Sequence, residues 1–197
     1  MKALKKFIEN YTALSVNEWD KISQVFTQRK IAKNEMILQE GMICRNFYFL
    51  ESGLLRYFYN IDGNEVVKTF TFPPFCFTSE ASFINQRPSI ESIQALEDSI
   101  VLQADIQQYK ELENIDSWKK FTYGLLDEVD RFSKLMIIHL KTQSPEQRYL
   151  WLIQNYPQSI LQRISQKDLS SFLGITPQSF CRIKNNLHKN RKVNLSE

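Results

Sequence analysis

The segment ISQKDLSSFLGITPQSFCRIKNNL, Ile164 to Leu187, decides how the rest of the chain is read. Ser165 predicts a helix N-cap, with Asp168 three residues later to meet the exposed amides and Leu169, Phe172 and Leu173 as the inner face. Gly174 permits a tight turn and Ile175 supplies a core plug. Thr176 caps the next helix, and Pro177 takes its first position, where a missing N–H costs nothing. This is the pattern of a helix-turn-helix. In its second helix Phe180, Ile183 and Leu187 point inward, while Gln178, Ser179, Arg182 and Asn185 share the opposite face, an amide and a guanidinium near the amino end where base edges would lie. The expected DNA contacts are these four residues with Ser165, Gln166 and Thr176, and with Lys184 and Lys189 on phosphates.

The charge distribution agrees. Residues 1–144 hold 17 Lys+Arg and 19 Asp+Glu, a net of -2, whereas residues 145–197 hold 8 and 3, a net of +5; together they make the +3 of the whole chain. The basic end is the end with the motif, as a phosphate-binding surface requires.

Upstream of the motif, Ser144-Pro145 starts a helix running from Glu146 to Asn155, closed by Tyr156-Pro157. Before it, Trp118, Phe121, Leu125, Val129, Phe132, Met136 and Leu140 advance by three and four residues, so an apolar stripe follows one long helix. Leu135, Ile137 and Ile138 make its second half apolar on further faces. Two arrangements satisfy such a helix: burial within one monomer, or packing on its own roll and on a second subunit. The expectation adopted is a two-fold dimer through Trp118 to Leu140.

From Lys30 to Asp105 the period changes to short β-branched and aromatic runs: MILQEG, NFYFLESG, LLRYFYNIDG, NEVVKTFTF and SIQALEDSIVLQAD. Gly41, Gly53 and Gly63 punctuate them, and Asp62-Gly63 is a hairpin signal because both residues tolerate positive φ. Successive strands with no helices between them predict an antiparallel barrel or roll rather than a parallel sheet. Two short helices open the chain: Leu4, Phe7, Ile8 and Tyr11 recur at helical spacing, and Ser15 to Glu18 forms a capping box before Trp19, Ile22, Val25 and Phe26.

A chain of 197 residues that is 43% hydrophobic and 13% aromatic is neither disordered nor a disulfide miniprotein. Cys44, Cys76 and Cys181 are odd in number and widely separated, which fits a reducing cytoplasm, and neither a signal peptide nor a membrane span is expected.

On Ile164 to Leu187, together with SEASFINQRPSIESIQALEDS, Ser79 to Ser99, the chain resembles the Crp/Fnr family of bacterial transcription regulators, over nearly its whole length. The resemblance implies a cyclic-nucleotide-binding-like β-roll, a long dimerisation helix and a C-terminal winged helix-turn-helix. It also implies a homodimer on duplex DNA, with RNA polymerase as a further partner. The family's phosphate-binding stretch carries Gly-Glu and then an Arg-Ser pair. Here Glu80 matches the glutamate, the preceding glycine is Ser79, the place of the arginine falls on about Ser89, and Arg87 stands two residues early. Ser133 falls near the part of the long helix that meets the ligand in the family. Glu80, Arg87, Ser89 and Ser133 are therefore the candidate effector pocket. A cyclic phosphodiester taken out of water needs a charged donor that Ser89 cannot supply, which puts a cyclic nucleotide in doubt and leaves the effector unidentified. Only HKNRKVNLSE follows Leu187, so the wing is expected to be short or missing, with Lys189, Arg191 and Lys192 as possible phosphate contacts.

Catalysis has little to build on. His139 and His188 are the only histidines, both expected on helix surfaces outside the roll, so no metal site and no catalytic residues are assigned. No GxSxG or glycine-rich phosphate loop occurs. The expected fold is α+β: an antiparallel roll of jelly-roll type over residues 1–114, a dimerisation helix over 115–143 and a helix-turn-helix domain over 144–197. The expected function is a cytoplasmic, homodimeric regulator reading an inverted repeat. The alternative is a sensor of a cyclic nucleotide or other small anion that acts through a protein partner.

Overall fold

The computed structural model describes residues 1–193, with side chains through Leu187. Lys189, Arg191, Lys192 and His188 therefore carry sequence expectations on side chains outside the described part.

Eight strands form two antiparallel four-stranded sheets. The first joins β1 (Thr27–Ile31), β8 (Ser99–Asp105), β3 (Asn46–Ser52) and β6 (Phe75–Phe77) in that order. The second joins β2 (Met36–Leu38), β7 (Ser92–Ala95), β4 (Leu55–Ile61) and β5 (Asn64–Thr71). This is the expected roll. Asp62 and Gly63, at φ 50° and 80°, turn β4 into β5 as the sequence predicted. Gly53 carries the chain from the first sheet to the second at φ 112°, and a Cβ there would lie 2.0 Å from Ser99 Oγ, so only glycine fits.

Three details differ from expectation. The run SIQALEDSIVLQAD is two strands, β7 and β8, one in each sheet. β1 and β6 lie outside the runs that the sequence marks as strands. A short helix, α3 (Glu80–Asn85), interrupts the roll, which was expected to have no helix between its strands.

Helices cover the first sheet. α1 (Lys2–Glu9) and α2 (Val16–Val25) lead in, the latter capped by Ser15 through the expected box with Glu18. α4 (Ile106–Leu112) follows β8, and α5 (Asp116–Thr142) is the long helix. Trp118 and Phe121 of α5 sit in an aromatic cluster, with ring centroids 5.8 Å between Trp118 and Phe47 and 6.0 Å between Phe121 and Phe7. That is why β3 is buried on both faces and reads as an unbroken apolar run instead of alternating.

The apolar stripe of α5 requires a correction. Trp118, Phe121 and Leu125 are buried in the roll core, Val129 packs against it, and Phe132 and Met136 pack against a second core of the same chain. The stripe is thus covered within one subunit except at Leu140. What stays exposed is a neighbouring line, Tyr123, Leu126, Ile137 and Leu140, with Leu135 and Ile138 beside it. Asp130 and Ser133 complete the 3-4-3-4-3 spacing of that line.

The second core is shared. Leu54, Phe58, Val67 and Phe70, on the outer face of the second sheet, pack with Leu152, Tyr156, Ile160, Leu169, Phe172 and Phe180. These come from α6 (Pro145–Asn155), α7 (Gln158–Leu161), α8 (Gln166–Phe172), α9 (Pro177–Val193) and the turns between them. β4 alternates, so Tyr57 enters the roll core while Phe58 joins the shared one, and a bulge in β5, where Thr69 and Val67 pair with Tyr57 and Phe58, puts Val67 and Phe70 on one face although they are three residues apart. His139, expected on a helix surface, is half-buried instead, its ring 4.9 Å from that of Trp151.

Candidate nucleic-acid interface and effector cassette

α8 and α9 form the helix-turn-helix. Ser165 Oγ accepts from the Asp168 amide at 3.0 Å to cap α8, and its hydroxyl donates to Asp168 Oδ2 at 2.6 Å. Gly174 takes φ 63°, its amide bonding the Ser171 carbonyl at 3.0 Å, and Arg148 Nη1 of α6 donates to the Leu173 carbonyl at 2.6 Å. A cation on the end of α8 also suits the helix dipole. Thr176 Oγ1 accepts from the Ser179 amide at 3.2 Å, capping α9. Phe180 is buried, its ring perpendicular to that of Tyr149 at 5.3 Å.

On α9, Gln178, Arg182 and Asn185 are exposed, as is Thr176 before them. Ser179 and Lys184 are half-buried, and Ser179 Oγ is taken up by the Thr176 hydroxyl at 3.1 Å. Gln166, at the start of α8, accepts a bond from the exposed Cys181 thiol at 3.0 Å, which ties the two helices together on their outer side. α9 continues to Val193, through the positions where a wing would begin.

Asp168 has a second bond beside its place in the Ser165 cap. It is buried at 8% exposure, and its Oδ1 accepts from Arg56 Nη1 of β4 at 2.8 Å. Nothing local marks Arg56 as its partner.

The four residues expected to line an effector pocket are not brought together. Ser89 is buried, but Glu80, Arg87 and Ser133 are exposed. The Ser133 hydroxyl bonds its own helix at the Val129 carbonyl, 2.9 Å away, and the Arg87 carbonyl accepts from Ser82 Oγ at 2.5 Å. Around Ser89 the chain satisfies itself. Its hydroxyl lies 3.0 Å from Ser79 Oγ, donates to the Glu91 carbonyl at 2.8 Å and accepts from the Glu91 amide at 3.1 Å.

Glu91 itself is 6% exposed, and its Oε2 takes a 2.7 Å bond from Lys68 Nζ of β5. Burial alone would lower the Lys68 pKa, but the Glu91 carboxylate outweighs it and leaves the ammonium above its ordinary value. Burial, then the same carboxylate, pushes the Tyr57 phenol well up. A buried carboxylate already holding its cation is a poor neighbour for an incoming phosphate. Lys68 and Glu91 were missed from sequence because they meet only when β5 folds against the segment before β7.

Among the described residues no group of His, Cys, Asp and Glu could hold a metal, and no helix is long and apolar enough to cross a membrane. Residues 28–115 match the cyclic nucleotide-binding domain family. No curated protein matches the chain. Among solved structures, FixK2 from Bradyrhizobium japonicum superposes with a TM-score of 0.72 at 18% identity, over 84% of this chain and 86% of that one. A protein described as a transcriptional regulator of the Crp/Fnr family, from Eubacterium rectale, gives 0.69 at 18%, over 92% and 88%. The catabolite activator protein of Thermus thermophilus gives 0.57 at 21%, over 91% and 86%. The roll is thus a cyclic nucleotide-binding-type domain. The chain as a whole has the fold of the Crp/Fnr regulators.

Proposed function

We propose that this protein is a cytoplasmic, homodimeric, DNA-binding regulator of transcription that reads an inverted-repeat operator. The observation that carries the reading is the capped α9, which presents Gln178, Arg182 and Asn185 to solvent from the most basic part of the chain. Glutamine pairs with adenine and arginine with guanine through the major groove, so a helix presenting both has the chemistry to read bases. Ser165, Gln166, Thr176, Ser179 and Lys184 border that face, and Lys189 is assigned to phosphate contact.

Dimerisation is assigned to the exposed line Tyr123, Leu126, Ile137 and Leu140 of α5, which at this spacing makes a coiled-coil seam with a second copy. Residues 1–114 serve as the sensory unit, 115–143 as the dimer helix and 144–197 as the DNA head. The roll's effector is not a tightly held cyclic nucleotide, because its cassette is bonded to itself around Ser89 and carries the buried Glu91. Three free cysteines support a reducing compartment.

A gel shift on mixed-sequence duplex at low salt tests the function. Retention with a steep salt dependence supports it. No shift would favour a sensor acting through a protein partner.

A further inference from the structure

β5 is an edge strand, and edge strands present unpaired N–H and C=O groups that a fold must cover. Here the cover is α8. Ser171 Oγ accepts from the Val67 amide at 2.9 Å and donates to the Glu65 carbonyl at 3.3 Å, so one hydroxyl of the DNA head fills one step of the roll's ladder. Beside it lies the Arg56 guanidinium, 8% exposed and 4.4 Å above the Phe58 ring. Its Nε and Nη2 reach Gln94 Oε1 at 2.9 and 2.7 Å, and Nη1 reaches both Glu65 Oε2 at 2.9 Å and Asp168 Oδ1 at 2.8 Å.

The planar fork of an arginine can bridge three strands and a helix in this way; a lysine cannot. Asp168 is in turn fixed by the Ser165 hydroxyl, so the guanidinium grips the first turn of α8 and not a mobile side chain. Arg163–Glu97 at 2.9 Å and Lys167–Glu65 at 3.8 Å flank the joint on its wetter side. Docking leaves the outer face of α9 free, since Gln178, Arg182 and Asn185 remain exposed while Leu169, Phe172 and Phe180 are buried.

We propose that Arg56 is a positioning residue for operator recognition: through Asp168 it latches the DNA head to the β4–β5 face of the roll in the pose that reads DNA. The proposal rests on the reading of α9 as the DNA-contacting helix. A dimer gains affinity over a single head only if both heads stand at the half-site spacing, so a head free to swing loses the two-headed advantage while each head keeps its own contacts. The same joint gives the roll a route to the DNA head through β4 and β5, separate from α5.

The test uses the full chain, Arg56→Met and Asp168→Asn, the second retaining the shape of the side chain if the first folds poorly. Hydrogen exchange reads docking, through the amides of Val67 and of α8 against those of Phe49 and Leu50 in the roll core. Binding is measured to a palindromic duplex recovered by selection from a random pool, and to a duplex carrying one half of it. The expected result is faster exchange at Val67 and α8 with the roll core unchanged. Palindrome affinity should fall by at least about tenfold and half-site affinity by less than about twofold.

Loosened exchange with an unchanged palindrome to half-site ratio would overturn the positioning role. Unchanged exchange in both variants would overturn the latch. Lack of selective duplex binding by the unsubstituted protein would be a failure of the DNA reading itself and would remove the positioning role with it, while the exchange data would still report whether the head is docked.

Discussion

Arg56 and Asp168, 112 positions apart in sequence, share a 2.8 Å charge-assisted hydrogen bond inside the contact between the roll and the helix-turn-helix unit. Both are almost fully buried, which sets the sign of what their removal does. Breaking a buried pair strands the surviving charge, whereas replacing both members with apolar groups removes two desolvation costs along with the attraction. Arg56→Met should therefore lower unfolding stability by roughly 3–5 kcal/mol, and Arg56→Met with Asp168→Leu by much less. Urea unfolding of the two variants checks the difference; equal losses would show that the pair is not buried in solution.

Ser89 and Glu91 argue against tight binding of cyclic AMP. An anion entering the cassette would have to break the bonds around the Ser89 hydroxyl and approach the Glu91 carboxylate, with no arginine in Ser89's place to offset the cost. Calorimetry should find no submicromolar binding. A submicromolar dissociation constant would mean that Arg87 or Lys68 swings in to take the phosphate.

What the sequence disclosed and what it hid divide by range. Ser15 with Glu18, Asp62-Gly63, Ser144-Pro145 and Gly174 to Pro177 act on neighbours within a few positions, so the hairpin, the caps and the helix-turn-helix were legible. β6 has three residues and α3 six, too short for a period to emerge. The stripe on α5 was found, but which apolar face meets which partner depends on where Phe132 and Met136 dock, and that is set by the head. Arg56–Asp168 and Lys68–Glu91 left no trace in sequence because each joins elements that only the tertiary fold brings together.

The exposed apolar line on α5 lets the proposed dimer be tested apart from folding. Ile137→Glu places a charge on the line of Tyr123, Leu126 and Leu140 without touching either core, and should give a folded monomer in sedimentation at micromolar concentration. Phe132→Glu, whose ring lies 6.3 Å from that of Trp151, should instead lose roughly 2 kcal/mol or more of fold stability. A dimer indifferent to Ile137→Glu would place the interface elsewhere.

Glu18 offers a local pH test. Bonds from the Ser15 hydroxyl at 2.7 Å and the Ser15 amide at 3.0 Å hold its carboxyl at about 2, below the ordinary 4.5. Because the folded value is the lower one, the contribution of the box is complete above pH 4.5 and is lost as pH falls through about 2. In an NMR titration Ser15→Ala should move Glu18 back toward 4.5. An unmoved value would assign the depression to another partner.

Whether α9 reads base pairs through Arg182 is decided by selection from a random duplex pool with the native protein and with Arg182→Ala. The native protein should recover an inverted repeat with half-sites about one helical turn apart, and Arg182→Ala should lose roughly 1–3 kcal/mol with relaxed preference at one base pair in each half-site. Recovery of no inverted repeat, or of the same motif undiminished from Arg182→Ala, would contradict base reading by Arg182.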